Sequence, residues 1–234
     1  MIYIDLSLLG NLAEMLRSRI PSLKIITFFH NVEYDYFQQL IKIEKKLRHR
    51  VTLGVVKRIE HSAVMHSDVI ITLNRRDSYR LKDIYGRHAN EVLPTSLPDT
   101  YTPQLDRETG KLSDTNRLNL VFVGSRFYPN EQAVNFFIER VIPYLKIPFS
   151  FNVIGKGFEN YVPKIRHSAV NIIGKVDDLT PYYEDADFVI SPIFSGSGMK
   201  TKTAEALMYG KNLLASDEAL EGYDEVDITE AAPD

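Results

Sequence analysis

The chain has 234 residues, 44% apolar and 25% charged, which suits one large or two ordinary globular domains with enough chain to bury a core. A formal net charge of −3 gives no global pull toward nucleic acid or membrane. With no cysteine, disulfides, thiol nucleophiles and cysteine-held metals are excluded, and a reducing compartment fits.

The first ten residues lack a basic start, and Asp5 and Glu14 interrupt the apolar run, so no secretory signal is expected. No apolar stretch nears the roughly 18 residues of a membrane span. The expected location is cytoplasmic. Ile2–Leu6 is a short apolar run, and a helix is expected from about Leu8 to Ile20, stopped by Pro21. Leu23–Phe29 has the near-continuous apolarity of a buried parallel strand. His30, Asn31 and Glu33 follow at its carboxyl end, where open α/β sheets hold ligands. His30 there suits a phosphate oxygen or a sugar hydroxyl; a turn that caps the next helix is the equal alternative.

Tyr34–His66 reads as one or two helices, with Val56, Ile59 and Ala63 forming a stripe toward the sheet. Lys42–Arg58 holds seven Lys or Arg against one glutamate. Such a run usually means a solvated face; the sharper reading is a peripheral membrane contact with anionic headgroups. Nucleic acid is not expected, because no aromatics interleave with the charges. Asp68–Leu73 is another buried strand, and a short helix after Asn74 ends at Gly86. Residues 1–100 form the first expected domain, 101–116 a polar linker and 117–234 the second domain.

In the second half, strand-like runs recur at Leu118–Val123, Phe149–Ile154, Val170–Ile173, Phe188–Pro192 and Asn212–Ala215. Their βαβ spacing predicts a doubly wound parallel sheet. Gly124, Gly155 and Gly174 end three of these strands and together mark an edge that a ligand approaches. Pro129 opens a helix, in which Ala133, Phe136, Phe137 and Val141 are expected in the core. Asp177 and Asp178 are expected to cap the helix holding Tyr182 and Tyr183. After Gly222 the chain is expected to fray.

Ser191–Gly210 passes from strand through a turn with Gly196 and Gly198 into a helix stopped by Gly210. Free N–H groups at such a junction attract phosphate; Lys200 and Lys202 add cations, and Glu205 lies one turn deeper. Taken alone, this reads first as a Gly-rich crossover with a solvated Lys/Glu pair. No set of His and carboxylates has metal-ligand spacing. Neither Ser195 nor Ser197 is followed by a His, so a hydrolase triad is absent.

Five ordered motifs resemble glycosyltransferase family 4, retaining enzymes of the GT-B fold. They are Phe122-Val-Gly-Ser-Arg-Phe-Tyr-Pro-Asn-Glu-Gln-Ala-Val; Phe151-Asn-Val-Ile-Gly-Lys-Gly; Ile173-Gly-Lys-Val-Asp-Asp-Leu; Ala186-Asp-Phe-Val-Ile-Ser-Pro-Ile with the Gly196–Lys211 helix start; and Glu221-Gly222. Phe29-His-Asn-Val-Glu33 is similar to the family's acceptor-side histidine turn. The resemblance implies two Rossmann-like domains of α/β type. The first is incomplete and the second lacks its last elements, as in a chain truncated at both ends.

It also implies a nucleotide-sugar donor, a glycan or lipid-linked acceptor, and metal-independent transfer for cell-surface polysaccharide, without a cofactor. By motif, Glu205 binds ribose, and backbone near Gly196, Ser197 and Gly198 meets the sugar or diphosphate. Lys202, with Lys200 and Arg126, neutralises phosphate; Gly124, Ser125 and Gly155 border it. Gly174, Lys175 and Asp178 lie where the base stacks, and His30 approaches the transferred sugar. His30 and Glu205 are the expected catalytic pair. The chain departs from the family where a further glutamate is usual, at Ser197, and where Asn130-Glu131-Gln132 supplies no lysine. A non-catalytic nucleotide-sugar-binding fragment and a GT-B nucleotide-sugar epimerase are the alternatives.

Overall fold

Runs of β-branched and aromatic residues that are apolar on both faces pair as parallel strands, and here they build two separate sheets. The computed structural model describes residues 1–44, 47–98, 101, 117–163 and 165–223. Nearly all of the expected linker, the expected frayed end at 224–234, and Lys45 and Lys46 lie outside the described residues.

Close packing divides the chain into two units. The first is Met1–Thr95 with Ser195–Met199 and Glu221–Tyr223; the second is built from Ser96–Phe194 and Lys200–Leu220. In chain order the first half contains β1 (Ile2–Ile4), α1 (Gly10–Arg19), β2 (Ile25–Phe29), α2 (Glu33–Glu44), α3 (Leu47–His66), β3 (Val69–Thr72), α4 (Arg75–Tyr85) and β4 (Glu91–Val92). Its sheet runs β1-β2-β3-β4, every pair parallel. Asn74 caps α4, its side chain accepting from the Asp77 N–H, and Gly86 ends the helix at φ 81°.

Two carboxylates brace this unit. Glu60 of α3 is fully buried and accepts from Ser7 Oγ at 3.0 Å, from the Glu33 and Tyr34 N–H groups at 2.9 Å each, and from Tyr85 Oη at 2.9 Å. It thereby satisfies the first donors of α2, which starts directly after β2, and so sets the chain's exit from His30. Burial pushes its carboxyl up while those donors pull it back. Asp68 accepts from the Ile25 N–H at 2.8 Å and from Arg17 at 2.7 Å. These bonds hold its carboxyl below the usual range.

The second half contains β5 (Leu118–Val123), α5 (Tyr128–Phe136), β6 (Phe149–Ile154), β7 (Val170–Gly174), α6 (Thr180–Asp185), β8 (Phe188–Ser191), α7 (Thr201–Met208) and β9 (Asn212–Ala215). The strand order is β7-β6-β5-β8-β9, all parallel. This is the doubly wound arrangement, with its switch point between β5 and β8. Strand β5 shows why both faces need helices. Leu120 and Phe122 pack with Phe137, Ile138 and Phe151, whereas Val121 and Val123 pack with Tyr183, Val189 and Ala206.

One core expectation is corrected. Phe136 is 38% exposed, against the edge of Phe194. Ala133, Val134, Phe137 and Ile138 form the buried face, and at about 100° per residue Phe136 falls well off it; past Phe136 the backbone widens into a π-helical turn over Phe137–Val141.

Candidate functional site

The second unit carries a cavity of about 320 Å³ at the carboxyl ends of its parallel strands. Val123 ends β5, and Gly124 and Ser125 follow it; Ile154 ends β6, and Gly155 and Lys156 follow it; Lys175, Val176 and Leu179 follow β7; Thr201, Lys202 and Glu205 come from the first turns of α7. Gly124, Ser125, Gly155, Lys175, Lys202 and Glu205 were all expected from sequence. Lys156, Val176, Leu179 and Thr201 were not. Lys156 sits inside the quoted Gly-Lys-Gly, so its motif was visible but its direction was not.

The floor is made of glycine because nothing larger fits. A Cβ on Gly155 would lie 2.0 Å from the Gly124 carbonyl oxygen, and Gly155 holds φ at 148°. The two turns are locked by the Gly124 N–H donating to Ile154 O at 2.9 Å and the Gly155 N–H to Gly174 O at 2.7 Å.

Lys202 is partly buried. Its ammonium donates to Asn130 Oδ1 and lies 5.0 Å from the centroid of the Phe122 ring. Desolvation, then the nearby Lys200, push its pKa down to about 8 against the opposing pull of Glu205. Glu205 Oε2 accepts from Tyr183 Oη at 2.8 Å. Tyr183 is 1% exposed and stacks on Tyr209 at 4.8 Å, so its position is fixed by packing. Burial, then the Glu205 charge, push the Tyr183 hydroxyl up, which keeps it a donor. The cavity therefore offers an ammonium and an oriented carboxylate one helical turn apart. That pairing suits a ligand with an anionic group next to hydroxyls.

The other expected residues stand outside this lining. Arg126 pairs with Glu131 at 3.0 Å and lies over the Tyr161 ring. Gly174 forms the last residue of β7, at φ 79°. Asp178 accepts from the Thr180 N–H at 2.9 Å in an Asx turn before α6, whose N-cap is Leu179 rather than the acidic pair. Lys200 pairs with Glu218 at 3.3 Å.

Gly196, Ser197 and Gly198 belong to the first unit. There Gln39 bonds both the Gly196 N–H and its carbonyl, each at 3.1 Å. Gly198 at φ 69° lies against Asn31, and Ser197 Oγ is buried without a hydrogen-bond partner. His30, also in the first unit, has Nε2 3.0 Å from Asp5 Oδ1 and meets the Phe28 ring edge-on. Of the basic run, Arg48, Arg50, Lys57 and Arg58 are exposed on α3, with Val51 and Val55 exposed among them. Among the described residues, no group of three His, Asp or Glu is placed to hold a metal, and no helix is long and apolar enough to cross a membrane.

Residues 117–230 match the family model for glycosyl transferases group 1. No curated protein matches the chain. WaaG, a glycosyltransferase involved in lipopolysaccharide biosynthesis, is similar in structure with a TM-score of 0.60 and 15% identity, over 93% of this chain and 65% of that one. Anabaena Alr3699/HepE in complex with UDP-glucose gives 0.60 and 13%, over 92% and 58%. The N-terminal domain of Candida albicans trehalose-6-phosphate phosphatase gives 0.53 and 15%, over 91% and 56%. The chain thus spans between 56% and 65% of the length of these structures. Its fold is that of the GT-B glycosyltransferases, with two Rossmann-like α/β units each on a parallel sheet.

Proposed function

We propose that the chain is a glycosyltransferase of family 4 that binds a nucleotide-sugar in the second unit's cavity. In this reading it passes the sugar, with retention and without a metal, to a glycan or lipid-linked acceptor in cell-surface polysaccharide synthesis. One observation carries the reading: Lys202 and Glu205 line a cavity at the carboxyl ends of β5 and β6, inside the segment that matches group 1 glycosyltransferases. Alr3699/HepE, of the same fold, has been solved with UDP-glucose and with UDP.

The chemistry asked of the residues is limited. The bond from the sugar's anomeric carbon to the diphosphate breaks, a bond to an acceptor hydroxyl oxygen forms on the same face, and that hydroxyl's proton passes to the departing diphosphate. Negative charge grows on the diphosphate as the bond stretches. Lys202, with Lys156 and Lys175 on the neighbouring walls, stabilises that charge more in the transition state than in the ground state. Glu205, aimed by Tyr183, accepts from ribose hydroxyls.

Binding and hydrolysis of a panel of UDP-, GDP-, ADP- and CMP-sugars tests this. Lys202→Ala is expected to weaken diphosphate binding by about 1–3 kcal/mol, the worth of a charge-assisted contact. Glu205→Ala should weaken nucleosides with intact ribose more than their 2′,3′-dideoxy analogues. His30→Ala should lower turnover and leave diphosphate affinity intact. The reading fails if no nucleotide-sugar binds, or if both cavity substitutions change nothing; binding without turnover marks a non-catalytic binder. The exposed Arg48, Arg50, Lys57 and Arg58 support a peripheral contact with anionic lipid. Flotation with phosphatidylglycerol vesicles, lost on charge reversal of these four, checks it.

A further inference from the structure

We propose that Asn130 is a positioning residue for this cavity: its carboxamide seats the Lys202 ammonium without neutralising it. The inference rests on the reading of the cavity as a diphosphate site. Asn130 is 2% exposed in the first turn of α5 and is absent from the cavity lining, so it acts through Lys202. Its Nδ2 donates to the Ser125 carbonyl at 2.7 Å and its Oδ1 accepts from Lys202 Nζ. One amide therefore ties the turn after β5 to the start of α7, and both of those walls face the cavity.

The fit is close on every side. A Cβ on Gly124 would stand 2.6 Å from Asn130 Nδ2 and 3.1 Å from Lys202 Nζ, so glycine is needed where these groups meet. The Phe122 ring holds the ammonium from another direction, 5.0 Å away at its centroid. Amide and ring are both uncharged. They fix the cation's place and leave its unit charge for an incoming anion, whereas a carboxylate at this position would cancel it.

The charged groups acting on Lys202 are Lys200 and Glu205 from its own helix, and Lys156 and Lys175 share the cavity walls. Glu205 already accepts from Tyr183, so it is not wholly given to Lys202. The result is an ammonium with pKa about 8, charged at neutral pH and losing its proton just above it. Anion affinity should therefore be full below about pH 7 and decline as pH rises through that value.

The test uses the full chain with Asn130→Asp, Asn130→Ala and Asn130→Ser. Affinities for UDP, ADP and inorganic pyrophosphate are measured from pH 6.5 to 9.5. Lys202 is titrated directly through its ¹³Cε resonance, assigned by its loss in Lys202→Met. Asn130→Asp is expected to weaken UDP about 10-fold at neutral pH and to raise the Lys202 midpoint by about a unit or more, through the new ion pair. Asn130→Ala should weaken UDP about 3- to 10-fold, and Asn130→Ser, which retains an acceptor, less. A merely structural residue would change melting temperature and leave the titration midpoint in place. Wild-type affinity together with an unmoved midpoint in Asn130→Asp overturns the proposal. If Asn130→Asp does not fold, an Asn130→Ala chain with wild-type affinity and midpoint overturns it equally. If the wild-type chain binds none of the three anions, the diphosphate reading fails, and the resonance titration alone still decides whether Asn130 seats Lys202.

Discussion

Replacing Glu60 probes what holds the turn between β2 and α2 in place. In Glu60→Ala, four donors lose their acceptor at once: Ser7 Oγ, the Glu33 and Tyr34 N–H groups and Tyr85 Oη. Each buried donor left without a partner costs about 1–3 kcal/mol, and local relaxation with water entry recovers part of the total. A net loss of about 3–5 kcal/mol follows, the range for breaking a buried charged network. Glu60→Gln is the sharper variant. It keeps size and one oxygen, but whichever way it turns its NH₂ must face a backbone N–H, that of Glu33 or of Tyr34, which cannot accept, whereas the Ser7 or Tyr85 hydroxyl beside it can turn to accept. About 2–3 kcal/mol should still be lost, although the change is a single atom. Urea melts of the intact chain, followed by far-UV circular dichroism, measure this as a shift in midpoint at constant slope. If Glu60→Gln melts with wild-type Glu, the carboxylate is only filling space and the account of α2 is wrong.

Gly155→Ala should cost about 3 kcal/mol or more, since its Cβ would meet the Gly124 carbonyl oxygen at 2.0 Å; a thermal melt shows it, and nucleotide affinity should fall with it. Asp68→Asn should destabilise at neutral pH. The Asp68 carboxyl titrates below its unfolded value, so its stabilisation is present above about pH 4 and fades as pH falls through the lower folded value. Melts of both chains at neutral and strongly acid pH should therefore converge in acid. Tyr183→Phe removes one donor from Glu205 and should cost about 1 kcal/mol. In titration calorimetry it should weaken nucleosides bearing a free ribose more than inorganic pyrophosphate.

The second sheet was readable from sequence because each of its strands is a short apolar run closed by Gly or a turn, and all five appear within a residue or two of the expected bounds. The first sheet was readable for the same reason at Leu23–Phe29 and Asp68–Leu73. Glu60 was not. It sits next to Ile59 in a helix full of charges, and only its bonds to Ser7, to the start of α2 and to Tyr85 of α4 distinguish it from a solvated glutamate. At the cavity, Lys202 and Glu205 stood out through their Gly-rich approach. Asn130 was noted only for the lysine it is not, because a carboxamide has no local pattern to announce a partner 72 residues away. Phe136 was misplaced because the i, i+3 spacing from Ala133 is shared by two helix faces, and the buried one is the face of Val134, Phe137 and Ile138.

The main-chain floor at Gly124 and Gly155 has a consequence for how such a site changes over time. Peptide groups are the same whatever codon lies beneath them, and the 2.0 Å approach bars any side chain from that surface. The base of the cavity is thus insulated from drift, because a side chain there would break the turns that form it. Variation enters through the side chains of the walls, among them Lys156, Lys175, Val176, Leu179 and Thr201. A chain of this design can change the chemistry of its cavity by substitutions in the walls while the shape of the floor stays inherited unchanged.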